Sequence, residues 1–144
     1  MKRLAVAALV VALSAVAAFG AVQDFGKFTL DIADGWTATQ TGPAVVITKD
    51  DKTASMSITI DSAQGNTADA LAAAFVESFK GSFEKVGTPE KDDDGDYSWD
   101  MENGGIETHA MLSVEDGNYM LITMTNADAA ADDMMAILNS VQEK

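Results

Sequence analysis

The chain has 144 residues, no cysteine, and 23 acidic against nine basic residues, which gives a formal charge of −14 at pH 7. So acidic a surface repels nucleic acid and anionic lipid, and it suits cations, a basic partner or solubility alone. The absence of cysteine excludes disulfides and a lipid anchor on an N-terminal cysteine, so packing must stabilise the fold.

The first residues have the layout of an export signal. Met1–Arg3 is basic, and Leu4–Phe19 is almost wholly apolar. Small residues at Ala18 and Gly20 predict cleavage after Gly20. An uncleaved membrane anchor is the alternative, but the apolar run is short beside the ~20 residues that a span needs. The signal holds two of the nine basic residues and none of the 23 acidic ones, so cleavage leaves residues 21–144 with a formal charge of −16.

Four short strands are predicted in the next stretch. Phe28–Ile32 alternates apolar and polar residues, and Trp36–Gln40 follows an Asp-Gly turn. Ala44–Thr48 contains a short apolar run, and Thr53–Asp61 alternates again. Val22–Phe25 is a lead-in to the first of them. Polar turns separate these segments, which indicates a run of antiparallel strands.

A long amphipathic helix is predicted from Thr67 to Val86. Asn66 is placed as its N-cap, Asp69 lies near its free N–H groups, and Gly87 ends it. Large apolar residues recur every four positions, and we expect them to face the sheet and dominate its cover. These residues are Leu71, Phe75 and Phe79. If the second of them is fully buried, its replacement by alanine costs about 3–5 kcal/mol.

Three strands that follow form an antiparallel meander. Their joints contain Asn-Gly-Gly and Asp-Gly, which tolerate the positive φ that two-residue hairpin turns need. A further Asp-Gly, at Asp94–Gly95, predicts one more short strand upstream. The strands are Tyr97–Glu102, Ile106–Val114 and Tyr119–Thr125, joined at Asn103–Gly105 and Asp116–Gly117.

The Asp116–Gly117 turn determines which side chains share a face of the meander. It places Leu112 opposite Leu121 on one face, called the leucine face below. It places His109 opposite Met124 on the other, called the histidine face. Both faces carry apolar residues, so we expect a covering layer on each.

The turn at Asn103–Gly105 leaves two registers open. A two-residue turn on its first two residues brings Trp99 to the leucine face but sets Asp100 opposite Glu107, two like charges. A three-residue turn removes this clash and moves Trp99 to the histidine face. We favour the first register because it gathers aromatic residues on one apolar face. Trp99 and Trp36 are both expected to be buried.

A second helix follows the meander. Asn126 or Asp128 is its predicted N-cap, and Asp132 and Asp133 fall near its positive end. Its apolar face comprises Met134, Ile137, Leu138 and Val141. The order of strands, helix, strands and helix predicts a single α+β domain over residues 21–144. We expect an antiparallel sheet of about six to eight strands flanked by two helices.

The segment Phe28-Thr29-Leu30-Asp31-Ile32-Ala33-Asp34-Gly35-Trp36 resembles the opening of PsbP-like domains. These domains begin with an aromatic-led strand and a turn of the Pro/Asp-Gly-Trp kind, and Ala33 stands where a proline is common. The order of elements is also similar. The PsbP-like superfamily includes photosystem accessory proteins, a Ran-binding nuclear import factor and many exported bacterial proteins. The resemblance implies an antiparallel sheet flanked by helices and a non-enzymatic accessory role.

The acidic segment Glu90–Asp96 is compared with a calcium loop. With Gly95 at the loop's glycine position, Asp92, Asp94 and Asp96 fall at ligand positions 3, 5 and 7. Met101 stands at position 12, where a bidentate glutamate is needed. We therefore interpret the segment as a solvated hairpin turn that attracts cations only diffusely.

His109 is the only histidine. A Ser–His–Asp site would use it with Ser113 and with Asp100 or Glu107, but the chain lacks a Gly-x-Ser-x-Gly elbow. A copper site would use it with three methionines, because thioethers favour Cu(I). These methionines are Met111, Met120 and Met124. Methionine is also a common core residue, and we predict no catalytic, cofactor-binding or metal-binding residues.

The sequence thus predicts an exported, non-enzymatic accessory or binding protein that acts by protein–protein contact in the bacterial periplasm or outside the cell. The alternative is a periplasmic protein that binds or handles metal cations. No cofactor is expected. The partner is expected to be another protein, not nucleic acid, and not a membrane once the signal is cleaved.

We expect the exported protein to begin at Ala21, because the small residues before it form a signal-peptidase site. Intact-mass spectrometry of the exported fraction checks this. Recovery of the full 144-residue chain from membranes would contradict it.

Overall fold

A computed structural model describes residues 21–144, so the predicted export signal lies outside the described residues. Within that range no helix is long and apolar enough to cross a membrane. The strands are β1 (Ala21–Asp24), β2 (Phe28–Ile32), β3 (Trp36–Thr41), β4 (Ala44–Lys49), β5 (Ser55–Ser62), β6 (Lys85–Val86), β7 (Glu90–Lys91), β8 (Tyr97–Asn103), β9 (Ile106–Glu115), β10 (Asn118–Thr125) and β11 (Gln142–Glu143). The helices are α1 (Ala68–Lys80) and α2 (Ala131–Asn139), and a 3₁₀ turn spans Ala127–Ala129.

The strands form two antiparallel sheets. The large sheet has eight strands in the order β3-β4-β5-β10-β9-β8-β6, and β7 also pairs with β8. The small sheet has the order β1-β2-β11. The expected α+β architecture with a large antiparallel sheet and two helices is confirmed. The lead-in before Phe28 and the last residues of the chain, which were not expected to be strands, form the edges of the small sheet.

The hairpin at Asp116–Gly117 has the predicted register. Both turn residues have positive φ, 52° and 81°, as a two-residue turn of this twist requires. Leu112 lies opposite Leu121, and His109 lies opposite Met124. The structure therefore confirms the predicted division of these side chains between the leucine face and the histidine face of the large sheet.

The other hairpin has neither of the predicted registers. Its turn residues are Gly104 and Gly105, with φ of 56° and 81°, and Asn103 pairs with Ile106. The pairing is displaced by two residues from the register that we favoured. Because the displacement is even, Trp99 still lies on the leucine face, opposite Ala110.

Local contacts explain this register. The Asn103 side chain accepts a hydrogen bond from the backbone N–H of Glu84 and donates one to the carbonyl of Ser82, which holds it in the strand. Two consecutive glycines take the positive φ values without steric cost. Asp100 now lies opposite His109 instead of Glu107. Glu107 lies opposite Glu102, whose carboxylate is paired with Lys85 at 2.6 Å.

Each face of the large sheet has its own covering layer. On the leucine face, α1 packs over β8, β9 and β10, and Trp99 is 3% exposed. On the histidine face, β2 and α2 enclose a larger core that includes Trp36, which is 6% exposed. The burial of both tryptophans is confirmed. The Trp36 indole N–H donates to Asp133 at 3.1 Å.

The first helix is shorter than the sequence suggests. The hydroxyl of Thr67, not Asn66, caps it by accepting the Ala70 N–H at 3.2 Å. It ends at Lys80 with Gly81 as C-cap, not at Val86. Lys85 and Val86 instead pair with β8 as β6. Glycine inside a helix costs about 1 kcal/mol relative to alanine, so Gly81 weakens the predicted helix at this point. The residues beyond it form backbone hydrogen bonds with β8 instead.

The apolar stripe of this helix faces the sheet, as predicted, but its cover is incomplete. Leu71, Phe75 and Phe79 pack against the leucine face and remain partly exposed. The fully buried residues of α1 are the smaller Ala72 and Val76. The condition for the large predicted cost at Phe75, complete burial, is therefore not met.

The second helix begins without a side-chain cap, so the predicted capping by Asn126 or Asp128 is wrong. Asn126 adopts a φ of 55° before the 3₁₀ turn, and its side chain donates to the carbonyl of Thr53 at 2.7 Å. Asp132 and Asp133 lie in the first turn of α2, as predicted. The four residues of the expected apolar face are buried, although Val141 lies beyond the end of the helix.

We expect Phe75→Ala to cost about 1–2 kcal/mol of unfolding free energy, because the side chain is only partly removed from water. Ile58→Ala, at a position with 0% exposure on the other face, is expected to cost about 2–5 kcal/mol. Urea titration measures both changes. Equal losses would show that α1 is packed as tightly as the rest of the core.

Candidate functional site

The structure places His109 in a pair with Asp100. The His109 Nδ1 lies 2.6 Å from the Asp100 Oδ1, and the two side chains are 38% and 62% exposed. Met124 is the cross-strand neighbour of His109, and Met111 lies two residues along the same strand face. Four candidate residues therefore share one region of the histidine face: Asp100, His109, Met111 and Met124.

Among the other candidates, Glu107 lies two residues before His109 on β9, and Ser113 and Met120 lie farther along the same face. Ser113 and its partner Met120 are buried, at 3% and 5% exposure. Ser113 is four residues from His109 along β9, about 13 Å at the rise of a strand. The structure therefore does not assemble the serine–histidine arrangement. Within residues 21–144 no group of three or more His, Asp or Glu residues is placed to hold a metal ion.

The acidic segment is the hairpin turn between β7 and β8, as predicted. The Asp92 carboxylate accepts the backbone N–H groups of Asp94 and Asp96, both at 2.9 Å. Gly95 has a φ of 86° and donates its N–H to the Asp92 carbonyl. One carboxylate oxygen that a calcium loop would direct at the ion is thus engaged by the backbone of the turn.

A groove of about 470 Å³ lies between α1 and the chain segment that carries β6 and β7. We call it the α1 groove. One wall is the side of the helix with Ala72, Ala73 and Val76, and the opposite wall includes Val86 and Pro89. Its remaining lining residues are Asp69, Glu77, Lys80, Gly87, Thr88 and Tyr97. The apolar residues of the two walls form the inner surface of the groove, which we call its floor, and the polar and charged residues form its rim.

A bulge in the edge segment shapes this groove. Val86 pairs with Met101 and Glu90 with Ser98, so the edge segment has one residue more than β8 between these pairs. A bulge of this kind bends the strand that contains it. Gly87 lies at the bend, where its N–H donates to a β8 carbonyl at 2.7 Å and a Cβ would lie 3.0 Å from that oxygen.

The charges at the rim are paired with one another. The Tyr97 hydroxyl donates to the Asp69 carboxylate at 2.7 Å, and the Lys91 Nζ lies 3.5 Å from the same carboxylate. Lys80 forms an ion pair with Glu77 at 2.8 Å. The groove is thus close to electrically neutral in a molecule whose surface is strongly acidic.

These contacts shift two pKa values. The hydrogen bond from Tyr97 and the charge of Lys91 lower the pKa of Asp69 below its ordinary value, because they stabilise the carboxylate. The same hydrogen bond, with a contribution from burial, raises the pKa of the Tyr97 phenol. The Lys91 Nζ also lies 5.8 Å from the centre of the Tyr97 ring, a cation–π contact.

Sequence reasoning missed the α1 groove. Its two walls are separated along the chain, and the predicted helix ran on through the residues that form β6. Pro89 was the available signal, because a proline close to a strand marks an edge or a bulge. The volume of the groove falls within the range of sites that bind small molecules.

No family model matches the chain, and no curated protein matches its sequence. The fold is similar to that of cyanobacterial PsbP, known as CyanoP, from Synechocystis sp. PCC 6803. The TM-score is 0.55 at 12% identity, over 88% of this chain and 94% of that one.

A protein from Bacteroides thetaiotaomicron VPI-5482 has a similar fold, with a TM-score of 0.50 at 11% identity. The match covers 81% of this chain and 45% of that one. A protein of unknown function from Pseudomonas aeruginosa, titled a putative regulator, matches with a TM-score of 0.44 at 14% identity. At identities this low the first two matches establish a shared fold alone, and no conclusion is drawn from the third.

We expect Tyr97→Phe to raise the pKa of Asp69 toward its ordinary value of 3.8, because the substitution removes the largest cause of the depression. NMR titration of the carboxyl carbon measures it. Tyr119→Phe is the control, since the pKa of Tyr119 is raised chiefly by burial and does not involve Asp69. An unchanged Asp69 pKa in Tyr97→Phe would show that the hydrogen bond is absent in solution.

Proposed function

We propose that this chain, whose fold is PsbP-like, is an exported, non-enzymatic accessory protein that acts by protein–protein contact through the α1 groove. The groove is the observation that carries the proposal. Its floor is apolar, its rim charges are paired, and it lies between a helix and a sheet edge. Peptide segments commonly bind in such grooves.

The charge distribution indicates the kind of segment that would bind. Asp69 and Glu77 are each paired with a lysine, so the rim offers no strong net charge to a ligand. Ala72, Val76 and Val86 provide apolar surface. A partner segment with one or two apolar side chains would bury them on this floor, at roughly 25 cal/mol per Å² of apolar area.

The PsbP-like resemblance supports an accessory role for the same chain. Accessory proteins of that superfamily work by contact with other proteins, which agrees with a groove whose rim charges are paired with one another. Export, with a periplasmic location, belongs to the proposal as well and rests on the basic-apolar-small layout of residues 1–20.

The alternative, a metal-handling protein, is favoured by one observation. His109, Met111 and Met124 share a region of the histidine face, and thioether and imidazole ligands suit Cu(I). Competition against a Cu(I) chelator at about 0.15 M salt separates the two functions, because diffuse attraction is screened there. One-to-one binding tighter than about 1 μM would favour the alternative.

Two variants of α1 test the α1 groove. Ala73→Arg places a long side chain in the groove, whereas Ala74→Arg adds the same side chain to an exposed position that does not line it. Both preserve helix propensity, since arginine is a good helix former. A displayed random-peptide library is selected on the mature protein, and the selected peptides are then titrated by fluorescence anisotropy.

We expect Ala73→Arg to weaken the selected peptides at least tenfold and Ala74→Arg to leave their affinity unchanged. Circular dichroism checks that both variants retain the fold. Peptides that bind all three proteins equally, or that lose affinity equally in both variants, would contradict the assignment of the α1 groove.

A further inference from the structure

The two ends of the large sheet are protected very differently. At one end, β6 and β7 are interrupted by a bulge with Pro89 and lie beside α1. At the other end, β3 is a six-residue strand, Trp36–Thr41, with no charged residue, proline or glycine. Charges, prolines and bulges are the usual devices that prevent an edge strand from pairing with another chain. The β3 edge lacks all of them.

The backbone of β3 has groups available for pairing. Thr41 pairs with Ala44 across a two-residue turn, so Thr41, Thr39 and Thr37 exchange hydrogen bonds with β4. The N–H and C=O groups of Ala38 and Gln40 consequently point away from the sheet. Among the described residues, no hydrogen bond reaches these four backbone groups, although the Gln40 side chain donates to the Phe25 carbonyl at 3.0 Å.

The side chains beside this edge are uncharged. Thr37, Thr39 and Thr41 are exposed on the leucine side, beyond the region that α1 covers. Val46 lies opposite Thr39 on β4 and is 39% exposed, one of the few large apolar side chains at the surface. An added strand would therefore meet threonine hydroxyl and methyl groups and an isolated apolar side chain.

Charge is concentrated at one end of the edge. Asp34 is exposed in the turn before β3, and Asp50 accepts a hydrogen bond from the Thr37 hydroxyl at 2.8 Å. Lys49 and Lys52 flank Asp50 and Asp51 in the same turn, and Lys49 is paired with Asp51 at 2.8 Å, so Asp34 and Asp50 are the carboxylates beside the edge. The opposite end is the uncharged turn Gly42–Pro43. A strand antiparallel to β3 has its C-terminal end beside the two aspartates. A basic residue at that end of the strand would meet complementary charge.

We propose that the β3 edge is a second docking surface, which binds an extended segment of a partner protein by strand addition. The segment runs antiparallel to β3, has uncharged strand-forming residues, and continues at its C-terminal end into lysine or arginine. This surface is separate from the α1 groove and lies at the opposite end of the large sheet. A second copy of the chain fits less well, because its turn at Gly42–Pro43 would bring no basic residue to Asp34.

A defined peptide tests the proposal. The probe is a labelled peptide of alternating threonine and valine that ends in two lysines, titrated into the mature protein and followed by fluorescence anisotropy and amide NMR shifts. A peptide of the same length ending in two glutamates is the control. We expect the lysine peptide to bind at least tenfold more tightly, with shifts centred on Ala38 and Gln40.

Protein variants separate strand addition from simple charge attraction. Ala38→Pro removes an outward N–H without removing a bond to β4, and it should weaken the peptide at least tenfold. Ala38→Ser retains the N–H and should bind normally. If Ala38→Pro fails to fold, a peptide N-methylated at its central residues replaces it and should lose the same affinity. Asp34→Asn should weaken binding and reduce its salt dependence.

Three results would overturn the proposal. The first is equal binding to Ala38→Pro and Ala38→Ser, or equal binding of the N-methylated peptide. The second is a set of shifts at the α1 groove instead of β3. The third is a dimer in sedimentation velocity that Ala38→Pro abolishes, which would make a second copy the occupant. Ala73→Arg should not affect this peptide, so failure here is distinct from failure of the α1 groove.

Discussion

The pairing of β10 with β5 on one side and β9 on the other is the interaction on which the rest of the structure depends. Successive residues of this central strand are buried on opposite faces: Met120 and Ile122 on the histidine face, Leu121 on the leucine face. A strand that is apolar on both sides needs two covering layers. The α1 helix provides one, and α2 with the small sheet provides the other.

The two layers are unequal. The histidine-face core contains many fully buried side chains, and its tryptophan, Trp36, has a hydrogen-bond partner. In the leucine-face layer, the phenylalanines of α1 are partly exposed. Within the described part of the chain each layer has one buried side-chain atom without a partner, the Trp99 indole N–H on the leucine face and the Asp31 Oδ1 of β2 on the other. An unpaired buried donor costs about 1–3 kcal/mol. The α1 groove therefore adjoins the layer whose large apolar side chains are less completely buried.

Local sequence patterns predicted much of this fold. Features that depend on contacts between distant segments of the chain could not be predicted from such patterns. The Asp116–Gly117 turn fixed a register and two faces because two-residue turns leave little freedom. The sequence did not show that the turn residues are Gly104 and Gly105, because this position depends on hydrogen bonds between Asn103 and the segment after α1. The strand at Gln142 and the end of α1 depend on pairing with distant strands. The α1 groove has two walls from separate segments, so no local pattern revealed it.

Native-state hydrogen exchange tests most directly whether β10 and its neighbours form the stable centre, with α1 as the weaker layer. The amides of β5, β9 and β10 should exchange only through global unfolding, because their bonds lie between two covered faces. Amides of α1 should exchange through a smaller opening with a weaker dependence on denaturant. Opening free energies for α1 equal to those of β10 would contradict this difference between the two layers.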